Sequence, residues 1–557
     1  MSTTARTASS VGNFLDERLE ASKGVKFLAR KIFPDHWSFM LGEVALWSFV
    51  VLLLTGVFLT FFYVPSVGRT TYDGVYTPLA NQTVSEAYAS TLRLSFDVRG
   101  GLLMRQIHHW AALVFVAATV VHMFRVFFTG AFRKPREINW LIGATLALLA
   151  IVEGFAGYSL PDDLLSGTGL RIASSIILAI PVLGSYLSFF VFGGQFPGEA
   201  FIPRLYTIHV LLLPGIFLAL ITAHLIILIV QKHSQYPGPG RTNQNVTGYP
   251  FYPIYLAKST GFFFLVFGVV ALMGGLFTIN PVWMYGSYDP SPVTAGSQPD
   301  WYMGWLDGAV RLTPGFFEFT ALGFTFSFNI IIPALIIPGL VTAALFLYPF
   351  IEQWVTGDRR EHHLLDRPRN APTRTGFGAM AITFYLLLLV SGGNDIIASQ
   401  LHLSINDITN TLRVLVFVLP PLAFVVAKRI CLGLQRKDRE KVLHGRETGT
   451  IYRTETGEYF EVHAPLDEYR RWTLVQQEIP GPIELPPPYD ENGVRRPGAY
   501  FDRIRQRVSR FFFEDRIEPV TPAELAESHE EHEAIAAHAE EDEEQRAISS
   551  SSVPVGD

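Results

Sequence analysis

One cysteine, Cys431, occurs in 557 residues. That scarcity excludes a disulfide framework and an iron–sulfur site built on four cysteines, and the lack of Cys-x-x-Cys-His excludes covalent c-type haem. Charge is also sparse: Asp, Glu, Lys and Arg make up 17% of the chain against 49% hydrophobic residues. This composition argues against a soluble multidomain protein and for one embedded in a lipid bilayer. The net charge of −6 says little, because acidic residues gather at the C-terminus, and no nucleic-acid partner is expected. No cleavable leader is legible, since the first 40 residues are polar or amphipathic and the first apolar run is long enough to span.

Eight apolar runs are present, at about 43–64, 103–128, 138–158, 205–230, 259–280, 323–349, 376–398 and 410–433. Each approaches or exceeds the ~20 residues that cross a ~30 Å hydrocarbon core. An even number puts both termini on one side. The segments on that side carry seventeen Lys and Arg against six on the other, so the positive-inside rule predicts cytoplasmic termini in a cell-membrane protein. Residues 1–42 form a cytoplasmic N-terminal segment whose Asn13–Phe33 stretch reads as an amphipathic surface helix. A soluble cytoplasmic extension is expected over 436–557. Within it Ile451–His463 reads as a hairpin, Pro480–Pro488 as an extended linker, and the acidic stretch from Glu518 as a disordered, solvated segment. His529, His532 and His538 belong to that stretch and are read as solvated.

Four histidines stand in the second and fourth runs as two pairs, His108/His122 and His209/His224, spaced by 14 and 15 residues. With ~3.6 residues per turn each pair shares a helix face, its members about 21 Å apart along the axis. Two such helices offer one imidazole each at two depths, which suits two b-type haems with two axial histidines apiece. His109 lies about 140° around the helix from His122, whereas His108 lies about 40° from it. His108 is therefore the expected ligand and His109 a residue packed beside it. The outer pair is His108/His209 and the inner pair His122/His224, and the same residues are the metal ligands. Arg105 and Arg125, three residues from a ligand, are placed to meet haem propionates; snorkelling to lipid headgroups is the lesser alternative for Arg125.

Glycines repeat the period. Gly42 and Gly56 are 14 apart on the first run, as are Gly143 and Gly157 on the third. Helix-interior glycine costs roughly 1 kcal/mol against alanine, so matched pairs predict haem edges packed on spans one and three. The fold class expected is thus an all-α membrane protein with eight transmembrane helices. Residues 43–235 form a di-haem four-helix bundle and 236–435 a second four-helix membrane region.

These features resemble cytochrome b of the cytochrome bc complexes, over roughly residues 30–435. The resemblance rests on Arg105-Gln-Ile-His108, His122-x-x-Arg125, His209/His224, the glycine pairs, Gly157-Tyr158-Ser-Leu-Pro161 and Pro299-Asp300-Trp301-Tyr302. The family's last motif usually reads Pro-Glu-Trp-Tyr, so Asp300 keeps the carboxylate and shortens its reach. The unsplit chain, the aspartate and the long tail look actinobacterial, which implies menaquinol as substrate. The resemblance also implies a quinol:cytochrome c reductase subunit that oxidises quinol at an outer site. One electron would go to a Rieske iron–sulfur partner and the other through two b haems to an inner quinone. A c-type cytochrome subunit, a homodimer and a neighbouring terminal oxidase are the further partners implied.

Asp300 is the residue expected to accept the quinol proton, with Tyr302 as its hydrogen-bond partner. Phe155, Tyr158, Pro299 and Trp301 are expected to wall the quinone pocket, with Thr313 and Phe316 on the loop side. The family's inner site has a histidine after the last ligand and a Lys-Asp pair before span five. Here His233 and Lys258 stand for it, but Ser259 follows Lys258, so the carboxylate is missing from its usual position. Glu153 is expected to serve proton exit near the outer haem, and Asp395 to be solvated at the end of its span. Two rival readings remain, a di-haem anchor of a dehydrogenase and a proton-coupled transporter with relay histidines.

Overall fold

Backbone amides in hydrocarbon have no water to bond, so apolar runs of this length can cross only as helices or closed barrels. The computed structural model describes residues 20–291, 297–453, 457–474, 480–521 and 523–528, with residues 10, 13, 14, 16–18 and 530 beside them. Among them eight helices are long and apolar enough to span: Trp37–Thr60, Gly101–Phe128, Glu137–Tyr158, Phe201–Gln231, Phe251–Leu276, Phe328–Thr356, Pro372–Gly392 and Ile405–His444. We call them spans one to eight. The β-structure of the described residues is four two-stranded ribbons, all outside the spans.

The ends differ from the expected ones where polar residues continue a helix. Span six begins later and runs further than 323–349, because the hairpin Glu318–Ala321/Phe324–Ser327 occupies its expected start. Span eight runs on to His444 through a charged stretch, so the soluble extension begins beyond 435. The N-terminal surface segment is helical at residues 13, 14 and 16–18, breaks at Glu20 with a left-handed φ of 48°, and resumes as Ala21–Ala29 before a strand, Ile32–Phe33, paired antiparallel with Tyr249–Pro250. The hairpin of the extension forms as Arg446–Arg453 against Tyr459–Ala464. His529, His532, His538 and residues 531–557 lie outside the described residues.

Spans one to four bring two levels of histidine together, and an apolar layer separates them. Phe49, Phe115, Ala150 and Phe217 cluster between the levels. Phe49, Phe115 and Ala150 each stand seven residues from both the glycines or histidines that flank them. Phe49, Phe115 and Phe217 meet with ring centroids 5.5 to 5.7 Å apart, the tilted and edge-on geometry aromatic rings favour. The 14-residue period thus encodes three layers rather than two.

The 15-residue spacing on span four has a local cause. Ile208–Leu212 forms a π-turn, which takes one more residue than a turn of α-helix. Pro214 follows it and lacks the amide that would restore the regular ladder. One extra residue absorbed there returns His224 to the phase that a 14-residue spacing would give.

Candidate haem-binding bundle and quinol site

Each glycine of the 14-residue pattern stands against one ligand histidine. A β-carbon at Gly42 would meet His122 at 3.1 Å, one at Gly56 would meet His108 at 3.3 Å, and one at Gly143 would meet His224 at 3.7 Å. At Gly157 it would press on the His209 ring. What each glycine clears in this structure is space for an imidazole, and the four pairs fall into an outer and an inner level.

In the outer level the rings of His108 and His209 face each other with centroids 6.2 Å apart and planes 82° apart. Two imidazoles on one metal, with bonds of about 2 Å each, stand about this far apart. His108 Nδ1 bonds Thr55 Oγ1 at 2.9 Å, whereas His209 Nδ1 lies 3.0 Å from Glu153 Oε1 without a well-formed hydrogen bond. A haem between the facing rings would take one nitrogen of each, with Thr55 and Glu153 beside the rings as ligand-supporting groups stand. In the inner level Nδ1 of His122 and of His224 is buried without a hydrogen-bond partner. Buried polar atoms of this kind call for a bound group. Arg105 donates to Asn280 O at 2.6 Å but leaves Nη1 buried and unpartnered, as are Nε and Nη2 of Arg125. Those orphaned donors suit carboxylates such as haem propionates. Arg125 also lies 4.3 Å from the Phe39 ring, with its guanidinium inside the protein rather than snorkelling outward.

A cavity of about 250 Å³ opens at the outer level, lined among others by His108, His109, Glu153, Gly157, Tyr158, His209, Asp300 and Tyr302. Asp300 precedes the helix Trp301–Leu312, and its carboxylate is held from two sides. His109 Nε2 lies 3.2 Å from Oδ1, and the Tyr302 hydroxyl donates to Oδ2 at 3.0 Å. Burial, reinforced by the Asp300 carboxylate, holds the Tyr302 hydroxyl well above its usual range, so it stays a donor. Gly154 on span three gives the Tyr302 hydroxyl its room.

Several expected pocket residues lie elsewhere. Thr313 caps the far end of its helix and bonds Ala309 O, and Phe316 is 79% exposed; neither lines the cavity, because a helix of twelve residues separates them from Asp300. Phe155 packs into the cluster of Ala156, Leu160 and Phe201 and stands behind the cavity-lining Tyr158, ring centroids 5.5 Å apart. Pro299 and Trp301 flank the carboxylate, with Trp301 turned edge-on to Tyr302 at 6.0 Å. Glu153 reaches His209 at 3.0 Å and lines the outer cavity. Asp395 is not simply solvated: it pairs with Arg311 at 2.9 Å and accepts from Gln298 at 2.9 Å.

At the inner end the expected gap is filled from another segment. Lys258 pairs with Asp35, and Glu43 accepts from Ser259 Oγ at 2.7 Å and from the Tyr255 hydroxyl. The Ile32–Phe33 strand leads into Asp35, and span one carries Glu43 in its first turn. Phe33 then stacks on Tyr255 at 4.2 Å and on His233 at 4.3 Å. Burial, reinforced by Arg136, pushes His233 down to about 4, so it is neutral near pH 7. A larger cavity of about 730 Å³ at this end is lined by charges such as Arg133, Glu352, Asp366 and Arg374. Those four bond one another.

Residues 113–287 match the family model described as cytochrome b(N-terminal)/b6/petB. The cytochrome bc1 complex cytochrome b subunit of Streptomyces coelicolor is 56% identical over 503 residues, covering 90% of this chain and 92% of that one. Its counterpart in Corynebacterium diphtheriae is 52% identical over 82% of this chain and 84% of its own. The Mycobacterium tuberculosis subunit is 53% identical over 81% and 82%. A chain of a hyperthermophilic respiratory Complex III aligns with a TM-score of 0.54 at 20% identity, covering 75% of this chain and 99% of that one; it supports the fold alone. On the strength of identity that runs through the histidine bundle, the Asp300 loop and much of the extension, the chain belongs to the cytochrome b subunits of the actinobacterial cytochrome bc1 complex.

Proposed function

We propose that the protein oxidises menaquinol at the outer cavity and returns electrons to quinone at the inner end, with both termini cytoplasmic. One observation carries the reading: the outer histidine pair and the Asp300 carboxylate share a cavity, so a proton acceptor adjoins an electron-acceptor site. When bound, haems at the two levels supply one-electron acceptors at two depths of the bilayer. Asp300 accepts the proton that a quinol hydroxyl releases. His109 and Tyr302 hold the two carboxylate oxygens and so aim the group. Tyr158 walls the cavity. At the inner end Lys258 and His233 bind the quinone, and Asp35 and Glu43 are the carboxylates that pass protons to it. A Rieske iron–sulfur subunit and a c-type cytochrome take the other electron, in a homodimeric assembly with a terminal oxidase alongside.

The direct test adds reduced menaquinone to the isolated complex. A b-type absorption band that grows with quinol and not with succinate supports the reading, and equal reduction by both contradicts it. The inner site has its own expected result. Asp35→Asn slows reoxidation of the b haems by quinone by about 10²-fold, the range of a lost proton donor, while quinol oxidation by a rapid first turnover is unchanged. Unaltered reoxidation would remove Asp35 from the site.

Glu153 tunes rather than transports. A carboxylate on His209 Nδ1 favours the oxidised, more positive metal. Glu153→Gln therefore raises the outer haem's potential by roughly 40–80 mV, equivalent to ~1–2 kcal/mol for one electron. A redox titration reads the shift, and an unchanged potential with a changed pH profile would restore the exit role instead.

A further inference from the structure

The C-terminal extension returns to the spans through one helix, Ala499–Phe512. At ~100° per residue its surface divides into three stripes. The first faces the protein. Arg505 Nε donates to Trp354 O at 2.7 Å, Ser509 Oγ accepts from Ile483 N at 3.0 Å, and Phe512 O accepts from Thr373 Oγ1 at 2.7 Å. The second stripe carries Tyr500, Phe501, Ile504 and Val508, all exposed, with Phe501 at 71%, and ends at Phe511, whose ring also packs on span eight. The third carries Arg503, Arg507 and Arg510, also exposed, and borders the apolar stripe.

The anchors fix the depth of this helix. Phe511 stacks on Phe424 of span eight, centroids 6.1 Å apart and planes 10° apart, and Lys428 Nζ lies 5.4 Å from the Phe511 ring. Phe424 stands one helical turn before Lys428, the first charge after the uncharged stretch 414–427 of span eight, so it sits near the end of the hydrocarbon-crossing part of that span. Trp354 is in the last turn of span six and Thr373 in the first turn of span seven, so all three anchors mark the same boundary. The exposed stripe is continuous with lipid-facing span surface at the level of the headgroups.

We propose that Ala499–Phe512 is an interfacial helix that binds anionic phospholipid, its apolar stripe among the acyl chains and its arginines on headgroup phosphates. Its large apolar side chains then leave water, as amphipathic interfacial helices do, and each arginine meets a charge of opposite sign at the bilayer surface. The apolar stripe adjoins the protein-facing one, centred about 100° from it around the helix, and the arginines flank its other edge, an arrangement that suits a helix at the rim of a membrane protein.

The test uses the whole complex in nanodiscs of phosphatidylcholine with or without phosphatidylglycerol. Cys431 is replaced by serine, and an environment-sensitive fluorophore is attached through Phe501→Cys or, as a control in an exposed loop, Glu491→Cys. Lipids with a nitroxide near the headgroup are expected to quench the label at 501 at least threefold more than that at 491. Phosphatidylglycerol is expected to increase the difference, and replacing Arg503, Arg507 and Arg510 by Gln to abolish that increase. Equal quenching at the two sites overturns the proposal. A shielded label at 501 that no nitroxide lipid reaches also overturns it, since a protein partner would then cover the stripe. An increase that survives loss of the arginines overturns the headgroup assignment.

Discussion

His108→Ala is expected to leave the chain folded with a single b-type haem, and to cut quinol-driven reduction of the remaining haem by more than ~10³-fold. In the proposed reading the outer haem is held through His108 and His209, whose rings face each other 6.2 Å apart. Loss of one imidazole removes one of two axial bonds, a larger loss than the 10–100-fold affinity cost typical of removing a supporting partner. The inner level lies beyond the Phe49–Phe115–Phe217 layer and keeps both of its histidines. His109→Ala is the matched control: it removes a neighbouring imidazole that turns to Asp300 and should leave both haems in place. Spectra of the two variants, measured as haem per chain, decide the matter. Loss of haem in His109→Ala with retention in His108→Ala would reverse the ligand assignment.

Asp300→Asn is expected to lower quinol oxidation by about 10²–10⁴-fold, the range for a lost general base, with both haem spectra unchanged. The amide keeps the shape and can still accept from Tyr302, but it cannot take a proton. Asp300→Glu restores the carboxylate and should recover most of the rate, because relatives of the resembled family carry the longer acid there. Steady-state turnover with menaquinol across pH checks both variants. A full rate in Asp300→Asn would place the proton acceptor elsewhere.

What could be read from the chain was whatever repeats along one helix. The histidine and glycine periods pointed to two levels on one face, and the structure pairs Gly42 with His122, Gly56 with His108, Gly143 with His224 and Gly157 with His209. Membership of the cytochrome b family sets aside the dehydrogenase anchor and the transporter. The Phe49, Phe115 and Ala150 midpoints carried the same signal and passed unread, because phenylalanine on an apolar helix looks like ordinary lipid-facing surface. Contacts between distant segments were not legible. Asp300 meets His109 across 191 residues of sequence, and Asp35 reaches Lys258 only because a two-residue strand pairs with Tyr249–Pro250. The π-turn at Ile208–Leu212 shows the converse: a spacing of 15 looked like a variant and is a local insertion that keeps the phase.

The account stands on two haems held by four named histidines, and haem counting on the unmodified protein tests that most directly. Haem extracted from the chain under acid–organic conditions, together with a potentiometric titration of the b-type band in the membrane, should give two non-covalent haems per chain titrating at two potentials. One haem per chain, or a single one-electron wave that accounts for all of the band without any splitting on His108→Ala, would contradict it.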